Sequence, residues 1–235
     1  ERISFRAVYG NERVSASLDL PKNSPPPFQA IVYYPTRAAQ TYKSRTDYPH
    51  DISMIAMLVA SGRAVICPTY KGTFERYEKF PPGAVLSANR DEMIMIAKDL
   101  GRTIDYLETR TDLQPGKLAF FGYSAGGLNG TILPAIETRL KASVLVAGGF
   151  TQGKLLPEAD PINFAPHNTV PTLMLNGRYD FARPVETSQM PMFRLLGAPP
   201  DQKRHVLFDT GHTLRPEQIA SEVYVWLDRY LGIVK

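Results

Sequence analysis

The sequence predicts an α/β fold: a mostly parallel central sheet with helices on both faces and an antiparallel N-terminal hairpin at one edge. Three observations carry this expectation. Short apolar runs at residues 29–34, 117–121, 142–146 and 172–175 alternate with segments of helical periodicity, as strands buried on both faces require. The first twenty or so residues instead alternate apolar and polar positions around a turn. A glycine-bearing turn joins the 117–121 run directly to a helical segment.

Element by element, Ile3, Phe5 and Ala7 share one parity, Gly10-Asn11 supplies the turn, and Val14, Ala16 and Leu18 resume the alternation of a half-buried hairpin. Residues 21–27 form a proline-rich connector inside the domain, because about 20 residues before it cannot bury a core alone. The run QAIVYY at 29–34 is a strand. Residues 52–61 are helical, with Met54, Met57 and Leu58 on one face, and 64–67 is a short strand ended by Pro68. Residues 89–109 form a long amphipathic helix through Met93, Ile96, Ala97, Leu100, Ile104 and Leu107. The pattern continues with a strand at 117–121, a helix at 124–137 and strands at 142–146 and 172–175. A helix at 185–196, a strand at 205–208 and a last helix at 216–230 complete it. No internal repeat or low-complexity tract interrupts this order.

Composition excludes several classes. A chain of 235 residues with 43% hydrophobic and 21% charged residues folds as one domain, 1–235, and is not disordered. The 27 Lys and Arg are scattered among 23 Asp and Glu for a net charge of +4, without the basic clustering of a nucleic-acid partner. Apolar stretches such as 142–150 are strand-sized, so no membrane span is expected. One cysteine, Cys67, excludes an intramolecular disulfide framework and a cysteine-based metal knuckle, and reads as an inert core thiol. The chain opens on Glu1, not Met, which points to a trimmed chain or one excised from a longer protein. Compartment, cytoplasmic or secreted, and oligomeric state stay open.

The strongest chemical signal is Gly122-Tyr123-Ser124-Ala125-Gly126-Gly127, a G-x-S-x-G pattern between strand and helix. A serine on such a turn takes a strained backbone, small neighbours avoid clashes, and the helix N-terminus offers N–H groups and partial positive charge to an oxyanion. A serine hydroxyl needs a base and a group that orients the base. Of the four histidines, His212 follows the 205–208 strand and precedes the last helix, so it shares a crevice with Ser124 at the carboxyl ends of the strands. His205 lies in a strand, and His50 and His167 lie in loops without such support. Asp180, after the run Thr172-Leu173-Met174-Leu175 and a glycine turn, is the expected acid; Asp209 is its competitor. Capping or pairing with Arg178 or Arg183 is the plainer role for Asp180.

The oxyanion hole needs two N–H donors: Ala125, and one from the loop Tyr34-Pro35-Thr36-Arg37. Proline cannot donate, so Thr36 is expected first and Arg37 next. Arg37, Tyr123, Tyr179 and Lys71 are candidate substrate-binding residues. A loop lysine is more often simply solvated, and Tyr33, Tyr34, Tyr123 and Tyr179 serve equally well as packing residues. No metal or organic cofactor is called for. The connectors 74–88 and 150–169 are long enough to overhang the crevice but too short for a cap domain, which suits short-chain or polymer-attached esters.

These motifs resemble the α/β-hydrolase superfamily over the whole chain. Gly122–Gly127, Asn176-Gly177-Arg178-Tyr179-Asp180 and Gly211-His212 resemble its dienelactone-hydrolase-like and prolyl-oligopeptidase-like branch. Tyr70-Lys71-Gly72-Thr73-Phe74-Glu75-Arg76 is similar to bacterial hydrolase domains, some fused to a serine/threonine kinase-like module. The resemblance implies a serine esterase of small-molecule or polymer-attached esters, with acetyl-xylan and feruloyl esterases among its relatives. The Tyr34-Pro35-Thr36 loop replaces a glycine-rich one, and serine at 124 departs from a true dienelactone hydrolase. The rival expectations are a prolyl-oligopeptidase-like peptidase, which usually carries a propeller that 235 residues cannot hold, and a catalytically silent regulatory module.

Overall fold

A computed structural model of the chain describes residues 1–49, 51–79 and 85–234. His50, and residues 80–84 of the expected 74–88 connector, lie outside the described residues. Eight strands form one sheet in the order β1-β2-β4-β3-β5-β6-β7-β8. They are β1 (Arg2–Arg6), β2 (Arg13–Asp19), β3 (Phe28–Tyr34), β4 (Ala64–Pro68), β5 (Leu113–Tyr123), β6 (Leu140–Val146), β7 (Thr172–Gly177) and β8 (Lys203–Phe208). β1 and β2 pair antiparallel, β2 joins β4 antiparallel, and every pairing from β4 through β8 is parallel. The expected edge hairpin and mostly parallel sheet are therefore what the chain builds.

The helices are α1 (Ile52–Ala60), α2 (Val85–Glu108), α3 (Ala125–Asn129), α4 (Leu133–Ile136), α5 (Pro161–Phe164), α6 (Met190–Leu195) and α7 (Pro216–Leu231). Successive strand residues point to opposite faces, which fills two cores. Val32, Phe120 and Leu145 join Leu100 and Ile104 of α2 and Met192 of α6. Ile31, Phe121 and Val144 join Leu58 of α1 and Val223, Trp226 and Leu227 of α7. Covering both faces is why these strands read as unbroken apolar runs.

Two expected helices are corrected. The 124–137 segment breaks into α3 and α4. Gly130 approaches the Leu145 side chain too closely for any Cβ, and Pro134 restarts the helix at its first turn. The 185–196 segment opens as a π-helical turn, Val185–Gln189, before α6, because Pro191 has no N–H for a regular helical bond. α2 begins four residues before its expected start, shortening the connector ahead of it.

β3 is the switch point: β4 lies on one side of it and β5 on the other. Loops leaving the carboxyl ends of β3, β5, β7 and β8 therefore open onto one crevice.

Candidate active site

Ser124 sits between β5 and α3 with φ +54° and ψ −98°, a conformation costly for a non-glycine residue. Its own amide donates to the Val146 carbonyl (2.8 Å), anchoring the turn to β6. The turn closes tightly: a Cβ on Gly122 would strike the Gly126 carbonyl, and one on Gly126 would lie 2.5 Å from the Tyr34 carbonyl oxygen. Glycine at both positions follows from that approach.

The three residues expected to act together are brought together from separate loops. Ser124 Oγ lies 2.8 Å from His212 Nε2, and His212 Nδ1 lies 2.6 Å from Asp180 Oδ2. A carboxylate can only accept, so Nδ1 carries the proton and the Nε2 lone pair faces the serine hydroxyl. The Asp180 side chain is fully buried, and its Oδ1 accepts the amides of Ala182 (2.9 Å) and Arg183 (3.0 Å). Asp209 instead faces Arg178 at 3.0 Å in an exposed ion pair.

The loops are tied to each other by atoms with no local sequence signal. A Cβ on Gly177 would collide with the Thr210 and Gly211 carbonyls, so the β7 and β8 loops touch there. The Tyr179 amide donates to the Thr210 carbonyl (3.0 Å). Fully buried Gln189, on the π-helical turn, donates through Nε2 to the carbonyls of Gly177 (3.0 Å) and Arg183 (2.6 Å), clasping the Asp180 loop. Buried Asn176 reaches the Gly148 carbonyl (2.7 Å) in the same way.

The remaining expected site residues divide. Ala125 is the first residue of α3, so its N–H has no partner within the helix. The Thr36 hydroxyl is 2.6 Å from the Tyr48 hydroxyl. Burial raises the Asp51 carboxyl above the usual carboxylate range, against the pull of Tyr48, Tyr33, Arg45 and the Thr36 amide. Thr36 itself keeps an extended backbone. The next residue, Arg37, opens a short 3-10 turn (Arg37–Gln40), which leaves its N–H at a turn N-terminus.

Lys71 is drawn away from substrate binding. Its ammonium is 3.0 Å from both Glu12 and Glu78; burial opposes its charge, but these carboxylates raise its pKa. Its amide donates to Asp99 Oδ2, which also meets Arg76 Nη1 at 2.6 Å, so this cluster binds the hairpin turn to α2. Tyr123 is also not a lining residue. It is buried, donates its hydroxyl to the Leu214 carbonyl (3.3 Å) and accepts from the Leu214 amide (3.1 Å), holding the segment just after His212. Tyr33 and Tyr34 are packed, stacking on Phe121 and Tyr70, whereas Tyr179 is 66% exposed beside Asp180. Burial pushes the Cys67 thiol up to about 11, which keeps it protonated near neutrality. His205, half-buried in β8 beside Phe193, is pushed down to about 4 by burial, and His167 is exposed.

A groove of about 1300 Å³ runs along β2 and α1, bordered by Leu18, Ile55 and Val59; Ser124, Asp180 and His212 do not line it. Among the described residues no helix is long and apolar enough to cross a membrane.

No family model and no curated protein matches the sequence. Solved structures do match the fold. A cold-adapted esterase from an Arctic intertidal metagenomic library superposes with a TM-score of 0.74 at 16% identity, over 100% of this chain and 93% of that one. Est1E from Butyrivibrio proteoclasticus, with ferulic acid bound, gives 0.72 at 14% identity, over 98% and 99%. An acetyl xylan esterase from Paenibacillus sp. R4 gives 0.74 at 18% identity, over 98% and 83%. The architecture is thus the α/β-hydrolase fold.

Proposed function

We propose that this chain, an α/β-hydrolase fold, is a serine carboxylesterase of the dienelactone-hydrolase-like branch, acting through Ser124, His212 and Asp180. The observation that carries the reading is the pair of short contacts linking these side chains across three loops. A buried acid oriented by two amides has no structural need to hold a histidine against a strained serine. The arrangement serves proton transfer.

In this reading His212 takes the Ser124 proton as Oγ attacks the ester carbonyl, and Asp180 stabilises the imidazolium. The N–H groups of Ala125 and of Thr36 or, next to it, Arg37 receive the tetrahedral oxyanion; each such donor contributes about 3 kcal/mol to lowering the barrier. His212 then protonates the leaving alcohol. Water attacks the acyl-enzyme by the reverse proton route, restoring Ser124. Tyr123 and Gln189 position the histidine and acid loops. The esterases among the structural matches support an ester as substrate, small or polymer-attached.

Ser124→Ala tests the assignment. It is expected to abolish turnover of 4-nitrophenyl acetate and labelling by a fluorophosphonate, with folding intact by circular dichroism. Wild-type turnover in that variant would remove the reading.

A further inference from the structure

α1 is apolar on every side: its sequence, ISMIAMLVA, holds one polar residue and no charge. Met54, Met57 and Leu58 enter the core against β3 and β4. Ile52, Ile55, Ala56, Val59 and Ala60, also at helical spacing, form a second stripe that faces the groove beside β2. A helix apolar all round is normally covered all round. Here the strand next to β4 is β2, which turns Val14, Ala16 and Leu18 into the core and presents Ser15, Ser17 and Asp19 to the groove. Nothing apolar in β2 therefore covers the second stripe of α1, and Ile52 is 62% exposed.

Asp51 stands at the N-terminal end of that stripe and lines the same groove. It is 1% exposed. An aspartate in this position ordinarily accepts from an amide of the first helical turn. The Asp51 side chain makes no such cap, and among the described residues neither of its oxygens has a hydrogen-bond partner. Tyr48, Tyr33, Arg45 and Thr36 draw its pKa down, yet burial outweighs them. Buried polar groups are nearly always hydrogen-bonded, and an acid left without a donor costs stability. An apolar wall with one unsatisfied polar group at its end is the usual construction of a small-molecule site.

We propose that this groove, away from Ser124, binds an uncharged aliphatic alcohol: the chain lies along the stripe from Ile52 to Ala60 and the hydroxyl donates to Asp51. The chemistry of the occupant follows from the lining. The stripe runs about 12 Å along the helix, the reach of an extended decyl chain. A carboxylate at its end accepts a hydroxyl proton and repels a second carboxylate. The charged side chains of the groove balance, four basic against four acidic, so no net field draws in an ion of either sign. Arg45, in the same lining and with Nη1 buried without a partner, opposes a cation there. The site does not depend on the esterase reading.

Four decyl probes test it at pH 8, read by displacement of N-phenyl-1-naphthylamine: 1-decanol, decyl methyl ether, decanoate and decylammonium. 1-Decanol is expected to bind fivefold or more tightly than each of the others, because the ether has no proton to donate and the two ions meet like charges. In Asp51→Ala the preference for the alcohol over the ether should disappear. Val59→Arg, on the groove side of α1, should weaken 1-decanol fivefold or more with an unchanged circular dichroism spectrum. The ranking in the unaltered protein stands as a test even if a variant fails to fold. The site is overturned if the alcohol's advantage over any other probe is less than fivefold, if folded Asp51→Ala keeps the preference, or if folded Val59→Arg holds 1-decanol within less than fivefold of the wild type. A dimer in sedimentation velocity that Val59→Arg dissolves would overturn it too, by making a second copy the occupant.

Discussion

Gly126→Ala sets two known effects of opposite sign against each other. Gly126 is the second residue of α3, where alanine should favour the helix by about 1 kcal/mol. Its added Cβ, however, would lie 2.5 Å from the Tyr34 carbonyl oxygen and 3.0 Å from Tyr34 Cβ and Cδ1. Ordinary contact requires about 3.5 Å, so α3 and the end of β3 must separate by about 1 Å. Neither side is a flexible tip. The strain of such overpacking is on the order of 1–3 kcal/mol, so net stability should fall by up to about 2 kcal/mol. Activity should suffer more. In the proposed mechanism α3 carries Ser124 and the Ala125 donor, and β3 leads to the loop of the second donor, so the shift opens the oxyanion hole between them. A misplacement of that size costs roughly a hundredfold in rate. The assay is kcat/KM for 4-nitrophenyl acetate alongside a calorimetric Tm. Gly153→Ala, where an added Cβ meets nothing within 4 Å, is the control. A Gly126→Ala enzyme within threefold of wild type would refute the argument that this contact sets the site.

Three further outcomes are expected. Asp180→Asn should lower kcat by about 10³–10⁴-fold with little change in KM, because an amide in its place no longer enforces the Nδ1–H tautomer; steady-state kinetics at pH 7.5 reads this. Tyr123→Phe should leave the buried Leu214 amide unpaired and cost about 1–3 kcal/mol in urea unfolding. His205 binds its proton near 4 when folded and near 6.5 when unfolded, so the unfolded state takes up more protons between those values. Stability contributed by neutral His205 is thus complete above about pH 6.5 and is lost as pH falls toward 4. His205→Leu should flatten that acid limb, read as urea midpoints at pH 7 and pH 4.5; equal losses in variant and wild type would count against it.

The order of strands and helices was legible in the sequence because burial on two faces leaves a local trace: unbroken apolar runs for strands and 3.6-residue periodicity for helices. That Ser124, Asp180 and His212 come together was legible for a related reason. Each stands at the end of an apolar run, and a parallel sheet collects those ends at one edge. The breaks at Gly130 and Pro191 were harder to read, since the first depends on contact with Leu145 in a different strand.

The sequence by itself therefore determined the sheet, the edge hairpin and the residues available at its carboxyl edge. Tertiary structure alone decided which way each donor points. It spent Lys71 on Glu12 across 59 residues, set Gln189 beneath the Asp180 loop, and tied the Tyr123 hydroxyl to Leu214 just past His212. Periodicity records which face of an element is buried. The direction of a hydrogen bond or a charge depends on partners far away in the chain, and no local pattern carries that information.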